Sequence, residues 1–183
     1  MFIRSERLFL RPGWPEDWTE LLGVIGDEAF ALKLASGASP YIMADVIAAA
    51  RQSQGWLLPH FFVTLPTGEG AKLIGSIWLD QVEDEVELSY WIAREHCGQG
   101  YATEAVRAVL GLAAMLGHRR ICASHFAGDP ASRRVLEKAG FRPTREREMR
   151  VGLEQSADVS PVTYGLEITG SGNLEDNQLM RAA

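Results

Sequence analysis

Apolar positions along this chain recur with two different periods, and the switch between them divides the sequence. Arg7-Leu8-Phe9-Leu10-Arg11 alternates as a first strand, stopped by Pro12-Gly13. Residues 14–25 place apolar side chains at Trp18, Leu21, Leu22 and Ile25, with Pro15 early, which is helical spacing. A second helical stretch covers residues 27–34, residues 36–40 form a loop, and Asp45 caps a helix through Gln54. Strands follow at 60–65, 73–79 and 86–92. The turn-rich cluster 66–70 and an acidic hairpin loop, 80–85, separate them, so the three are expected to be antiparallel neighbours.

At residue 98 the period becomes 3.6. Apolar residues at Ala102, Ala105, Val106, Val109, Leu112, Ala113 and Leu116 predict a helix over 98–116, ended by Gly117. Residues 120–126 read as a short buried strand. Asp129 as N-cap and Pro130 at the first helical position open another helix, which runs to Ala139 and stops at Gly140. Phe141 begins a further strand, and residues 162–168 are the last. Antiparallel strands ahead of a βαβ-like unit predict a mixed α/β (α+β) fold, a mostly antiparallel central sheet with helices on both faces. Residues 1–169 are expected to form a single domain, and 170–183 a small, polar, frayed tail.

Composition narrows the classes. The 183 residues are 46% hydrophobic and 23% charged, enough for one sizeable core and too apolar for disorder throughout. A net charge of −6 argues against nucleic acid as the main partner. Its strongest basic groupings, Arg133-Arg134 and the acid-interleaved Arg142, Arg145, Arg147 and Arg150, are small. Cys97 and Cys122 form no CxxC pair, so neither a disulfide framework nor a metal site is expected. The opening residues 1–7 lack the apolar run of an export signal. The apolar stretch 105–116 is too short for a bilayer and carries Arg107, so no membrane role and a cytoplasmic location are expected.

The chemistry concentrates where the 86–92 strand passes through Ala93–Gln99 into a helix. A helix N-terminus offers unpaired N–H groups and partial positive charge. Gly98 and Gly100 remove side chains that would block an approaching anion, so a phosphate or pyrophosphate fits there. Tight packing alone also uses Gly-x-Gly. A Walker loop needs Gly-Lys-Ser or Gly-Lys-Thr, whereas this chain has Gly100-Tyr101-Ala102. A dinucleotide fingerprint needs a third Gly or Ala at Thr103 and an acid near Ser124, His125 or Phe126, and has neither. A coenzyme A pyrophosphate loop remains.

Glu95-His96-Cys97-Gly98-Gln99-Gly100-Tyr101-Ala102-Thr103-Glu104-Ala105 resembles the acetyl-CoA motif of the GNAT superfamily, in particular the branch with the ribosomal-protein N-terminal acetyltransferases. Asp129 through Phe141 and the opening Ser5-Glu6-Arg7-Leu8-Phe9-Leu10-Arg11-Pro12 are similar to the same branch, so the likeness spans residues 5–168. It implies an acyl-CoA-dependent N-acetyltransferase with acetyl-CoA as co-substrate and no metal. The cofactor would be held by Ile92, Arg94, Cys97, Gly98, Gln99, Gly100, Tyr101, Ala102, Thr103 and Asp129, with main-chain N–H groups from Cys97 to Ala102 on the pyrophosphate. The pantetheine arm would pair along the end of the 86–92 strand, and an N–H near Ile92 would stabilise the oxyanion formed as an amine attacks. The acceptor would be a small amine or a protein N-terminus, met in a ternary complex. Transfer of a longer acyl group such as succinyl, and a non-catalytic coenzyme A sensor, are the alternatives. A homodimer is compatible with the sequence. Glu95 stands where the family often has Gln or Arg, and must point away from a pyrophosphate. Asp129 stands where the family commonly has Asn, and lacks an amide donor.

Acyl transfer to an amine needs a base and an acid. Strand alternation puts Glu87, Ser89 and Trp91 on one face and Leu88, Tyr90 and Ile92 on the other. Through the resemblance Glu87 is the base candidate. Otherwise it is an exposed carboxylate continuing Glu83, Asp84 and Glu85. Ser132 is the candidate acid for the coenzyme A sulfur, or simply a capping hydroxyl, with Tyr90 and Tyr101 as alternatives. Histidine as a residue type can change charge near neutral pH, which makes His96 and His125 candidates, but neither has a readable partner. Cys97, at a helix N-terminus, invites a covalent route, yet no Cys-His-Asn set is readable, so direct attack is favoured. The five tryptophans are expected in the core, with one or two lining an acceptor pocket.

Overall fold

The computed structural model describes residues 1–14, 16–25, 57–68, 70–126, 128–144 and 161–168. The helices expected at 27–34 and 45–54, the loop at 36–40 and the C-terminal tail lie outside the described residues. Eight strands form one sheet in the order β1-β2-β3-β4-β5-β6-β8-β7. They are β1 (Ile3–Arg4), β2 (Phe9–Arg11), β3 (His60–Thr67), β4 (Gly70–Val82), β5 (Glu85–Ile92), β6 (Arg120–Phe126), β7 (Arg142–Pro143) and β8 (Pro161–Glu167). The described helices are α1 (Asp17–Ile25), α2 (Tyr101–Met115) and α3 (Pro130–Lys138). Among the described residues no helix is long and apolar enough to cross a membrane.

β1 to β5 pair antiparallel in chain order. α2 then carries the chain over to β6, which runs parallel to β5, and β8 pairs antiparallel with both β6 and β7. Apolar residues of one sheet face, among them Phe61, Val63, Ile77, Leu79, Leu88, Ile121 and Ala123, pack on the buried stripe Ala105, Val106, Val109, Leu112 and Ala113 of α2. The other face is polar and aromatic near its centre, with buried Arg11, Ser76, Trp78 and Trp91. Trp14 departs from the expected core position. It is 43% exposed, and the Arg11 guanidinium lies 4.0 Å from its ring centroid.

Two differences from the expected boundaries have causes that bear on function. The strand expected at 7–11 is β2 and begins at Phe9 rather than Arg7, because the Arg7 N–H donates to Glu104 Oε1 at 2.7 Å instead of joining a ladder. The hairpin between β4 and β5 is tighter than the expected 80–85 loop. Both strands extend into it, leaving Glu83 and Asp84 at the turn, Glu83 with φ of 54°. Asp80 is thereby moved out of the loop and set in register with Glu87.

β4 bulges at Ile74, where the β3 register jumps from Val63↔Gly75 to Thr64↔Leu73. The bulge leaves main-chain groups to be satisfied elsewhere. Leu73 N–H donates to Glu20 of α1 at 2.7 Å, and Ile74 O accepts from Ala93 at 2.8 Å. Beside it, a Cβ at Gly75 would lie 2.3 Å from Trp91 O and 3.1 Å from Ile92 Cα. Backbone cannot yield as a side-chain tip can, so Gly75→Ala is expected to cost about 2–3 kcal/mol, read from thermal and urea unfolding.

Candidate functional site

β5 meets β6 at the single register pair Glu87↔Cys122, and the two strands part beyond it. Ala93 N–H donates toward β4, to Ile74 O. By alternation the main-chain amides of Tyr90 and Ile92 point the opposite way, to the β6 side, where no ladder pair follows Glu87↔Cys122. Tyr90 lies on the face toward α3, and its hydroxyl donates to Ser132 O at 3.4 Å. Burial raises the Tyr90 phenol well above its ordinary range, outweighing the bond to Ser132, so it keeps its proton at neutral pH.

Past Ile92 the chain makes a 3-10 turn, Arg94–His96, and reaches the glycine loop. Arg94 is exposed at the head of this turn, and its carbonyl accepts the Cys97 N–H at 3.1 Å. The Cys97 amide is therefore already used, which narrows the expected row of anion-facing amides. Gly98 and Gly100 adopt φ of 77° and 85°, conformations that favour glycine, and Gly100 is the N-cap of α2 without a side-chain cap. Glu104 N–H closes the first helical bond onto Gly100 O. Among the described residues, the amides of Gly98, Gln99, Gly100, Tyr101, Ala102 and Thr103 make no hydrogen bond within the protein. A Cβ at Gly98 would meet nothing within 4 Å, so the approach is open. Such a row of donors at the positive end of a helix dipole suits a diphosphate.

The loop is braced from outside. Glu95 turns away from the amides and pairs with Lys72 Nζ at 2.6 Å. That hydrogen bond and charge hold its carboxyl below the usual range. His96 Nε2 lies 3.1 Å from the same carboxylate. Gln99 Nε2 donates to Glu95 O at 3.1 Å. Arg7 and Glu104 were not singled out as functional from the sequence, although both lie inside the motifs that carried the resemblance. Glu104 accepts from Ser5 Oγ, Arg7 N and Arg7 Nε at 2.7, 2.7 and 2.8 Å. Burial pushes its carboxyl up, but these donors outweigh burial and leave it below the ordinary glutamate range.

The remaining candidates sit as follows. Asp129 caps α3, accepting from Ala131 N and Ser132 N at 3.1 and 3.2 Å. The Ser132 hydroxyl donates to the other oxygen of Asp129 at 2.8 Å, so its proton is held by the cap. Cys97 is exposed, and its thiol donates toward the carbonyls of Ile92 and Ala93 at 3.5 Å rather than toward His96. His125 is buried against Tyr164, with ring centroids 5.2 Å apart.

On the opposite face of β5, Glu87, Ser89 and Trp91 stand in register with Asp80, Trp78 and Ser76 of β4. Trp78 Nε1 donates to Asp80 Oδ2 at 2.6 Å. Burial raises the Asp80 carboxyl above its usual range despite this bond. Two carboxylates are thus cross-strand neighbours on one face, level with the Glu87↔Cys122 pair of β5 and β6 and next along the face to Trp78 and Ser89. Asp80 was missed as a candidate because a six-residue acidic stretch reads as a loop until the hairpin's length is known.

Comparison with known proteins gives a family match and likenesses of fold. Residues 7–142 match the family described as acetyltransferase (GNAT) domain. A Bacillus subtilis (strain 168) protein, YdaF, provisionally named a ribosomal N-acetyltransferase, is 40% identical over 78 residues, 41% of this chain and 40% of that protein. The match therefore spans about two fifths of that relative's length. A GNAT-family acetyltransferase structure from Bacillus anthracis superposes with a TM-score of 0.70 at 23% identity, covering 91% of this chain and 98% of that one. The structure of RimL, a ribosomal L7/L12 alpha-N-protein acetyltransferase in complex with coenzyme A, gives a TM-score of 0.69 at 16% identity, covering 93% and 99%. At such identities the structures speak for the fold.

Proposed function

The chain belongs to the GNAT acetyltransferase family, and on that premise we propose that it transfers an acetyl group from acetyl-CoA to a primary amine by direct attack in a ternary complex. The row of undonated amides from Gly98 to Thr103, beside a strand edge left open at Tyr90 and Ile92, carries this reading. Those loop amides would hold the diphosphate, and Arg94, Cys97 and Asp129 would border the cofactor. Acetyl-CoA supplies the activated acetyl group when bound. The Tyr90 and Ile92 N–H groups face the gap where a thioester carbonyl oxygen gains charge, and fixed donors there favour attack.

Glu87 would take the proton from the acceptor nitrogen, directly or through water, with Asp80 beside it favouring a cationic amine. For the departing sulfur Tyr90 is better suited than Ser132. The Tyr90 hydroxyl makes only a long bond, while the Ser132 proton is committed to Asp129. The likeness to YdaF, named for ribosomal N-acetylation, and to RimL, a ribosomal L7/L12 alpha-N-protein acetyltransferase, favours a protein N-terminus as acceptor over a small amine.

The full chain should gain thermal stability on adding coenzyme A, since a ligand specific to the native state raises apparent stability. Incubated with acetyl-CoA and a panel of amines and N-terminal peptides, it should yield acetylated product detectable by mass spectrometry. Stabilisation by coenzyme A with no acceptor ever modified would instead support a binding-only domain.

A further inference from the structure

We propose that Arg7 is a positioning residue for the cofactor loop, setting both the direction of its amides and the charge they present to a diphosphate. The proposal rests on the reading of Gly98–Thr103 as the diphosphate cradle. Arg7 belongs to the turn between β1 and β2, yet nearly all its polar contacts fall on the loop and the first turn of α2. Its Nη1 donates to Gln99 O at 3.1 Å, and its Nε and Nη2 reach Glu104 Oε2 at 2.8 Å each. Its guanidinium carbon lies 4.6 Å from the centroid of the Tyr101 ring.

The bond to Gln99 O fixes more than a carbonyl. In a trans peptide the C=O and the following N–H point in opposite directions. Drawing Gln99 O toward Arg7 therefore turns the Gly100 N–H away from Arg7, to the side on which a ligand can approach. Gly100, at φ of 85°, has no side chain to hold that peptide plane, so the restraint has to come from outside. The second effect is electrostatic. Glu104 is an acid in the first turn of α2, only 13% exposed, where it steadies the helix dipole but repels an incoming diphosphate. Arg7, bound to that carboxylate, cancels its charge and leaves the amides and dipole free to act on the ligand. Ser5 Oγ and the Arg7 main-chain N–H complete the acid's hydrogen bonds, so Glu104 also ties the opening segment to the loop.

The test compares full-length wild type, Arg7→Ala and Arg7→Lys by binding rather than turnover. Free coenzyme A is titrated by calorimetry. Pantetheine, which lacks the diphosphate, is titrated by tryptophan fluorescence. Arg7→Ala is expected to weaken coenzyme A binding by about tenfold or more, the loss of charge-assisted bonds at one site. Arg7→Lys restores the charge beside Glu104 but not the fork that reaches Gln99 O as well, and should fall between the two. Pantetheine binding should stay within about twofold in both variants, because its affinity does not depend on the diphosphate cradle. Equal weakening toward both ligands, or unchanged coenzyme A affinity in both variants, overturns the role given to Arg7. If Arg7→Ala fails to fold by circular dichroism, the lysine variant decides by the same comparison. Wild type that does not bind coenzyme A overturns the cradle reading itself, and the inference with it.

Discussion

Glu87→Gln is expected to lower kcat/KM for acetyl transfer by about a hundredfold or more, with coenzyme A affinity within about twofold of wild type. The split follows from position. Glu87 lies on the sheet face away from α2 and α3, five residues before the end of β5, whereas the free loop amides begin at Gly98. Glutamine keeps the size and removes the ability to accept a proton. Asp80→Asn is the companion. Asparagine still accepts the Trp78 indole N–H, so the fold keeps that bond. Because burial raises the Asp80 carboxyl, the folded state binds its proton more tightly than the unfolded chain does. Its charge therefore opposes folding at neutral pH, and that penalty is lost as pH falls through its folded pKa toward the unfolded value. Asp80→Asn should raise the melting temperature at pH 7 while reducing turnover of cationic acceptors. A Glu87→Gln enzyme of wild-type turnover would move the base elsewhere, with Asp80 the next group to test.

Asp17→Asn is expected to destabilise the protein by about 3–5 kcal/mol, because it leaves the Arg11 guanidinium buried without its counter-charge. The pair is bidentate, at 2.7 and 2.6 Å, and both side chains are 6% exposed. Trp14 N–H adds a third donor to the carboxylate at 2.6 Å. Burial pushes the Asp17 carboxyl up, but Arg11 and Trp14 N–H outweigh it and hold the pKa below the ordinary aspartate value. A depressed carboxyl contributes stability above its unfolded pKa of about 3.9, lost as pH falls through the lower folded value. The wild-type advantage over Asp17→Asn should thus be full at pH 7 and shrink below about pH 4. Urea unfolding at several pH values measures it, and a pH-independent difference would refute the account. The consequence reaches the site: the pair ties the start of α1 to β2, and Glu20 of the same helix holds Leu73 beside the bulge that receives Ala93.

Most of the scaffold was legible from periodicity. The β6 boundaries agree with the pattern of residues 120–126, and the strand–loop–helix passage at 92–101 lies where alternation gives way to a 3.6-residue period. Asp129-Pro130 reads as a helix start because capping is local chemistry between near neighbours, and Asp129 does cap α3. The strand expected from Phe141 is the short β7, whereas the two-residue β1 was not readable, since two residues carry no period and pair only because a neighbouring edge is present.

By itself, then, the order of residues determined the types of the main described elements, the family and the place of the strand-to-helix loop proposed to face a diphosphate, because each depends on contacts between close neighbours or on matched motifs. Tertiary structure alone decided which amides remain free, where β5 and β6 part, and that Asp80 faces Glu87. It also brought Arg7 to Gln99 and Glu104, more than ninety residues away in sequence. Those facts depend on register, on the Ile74 bulge and on chain closure over long separations, and a hydrogen bond spanning such a distance leaves no period in the sequence that makes it.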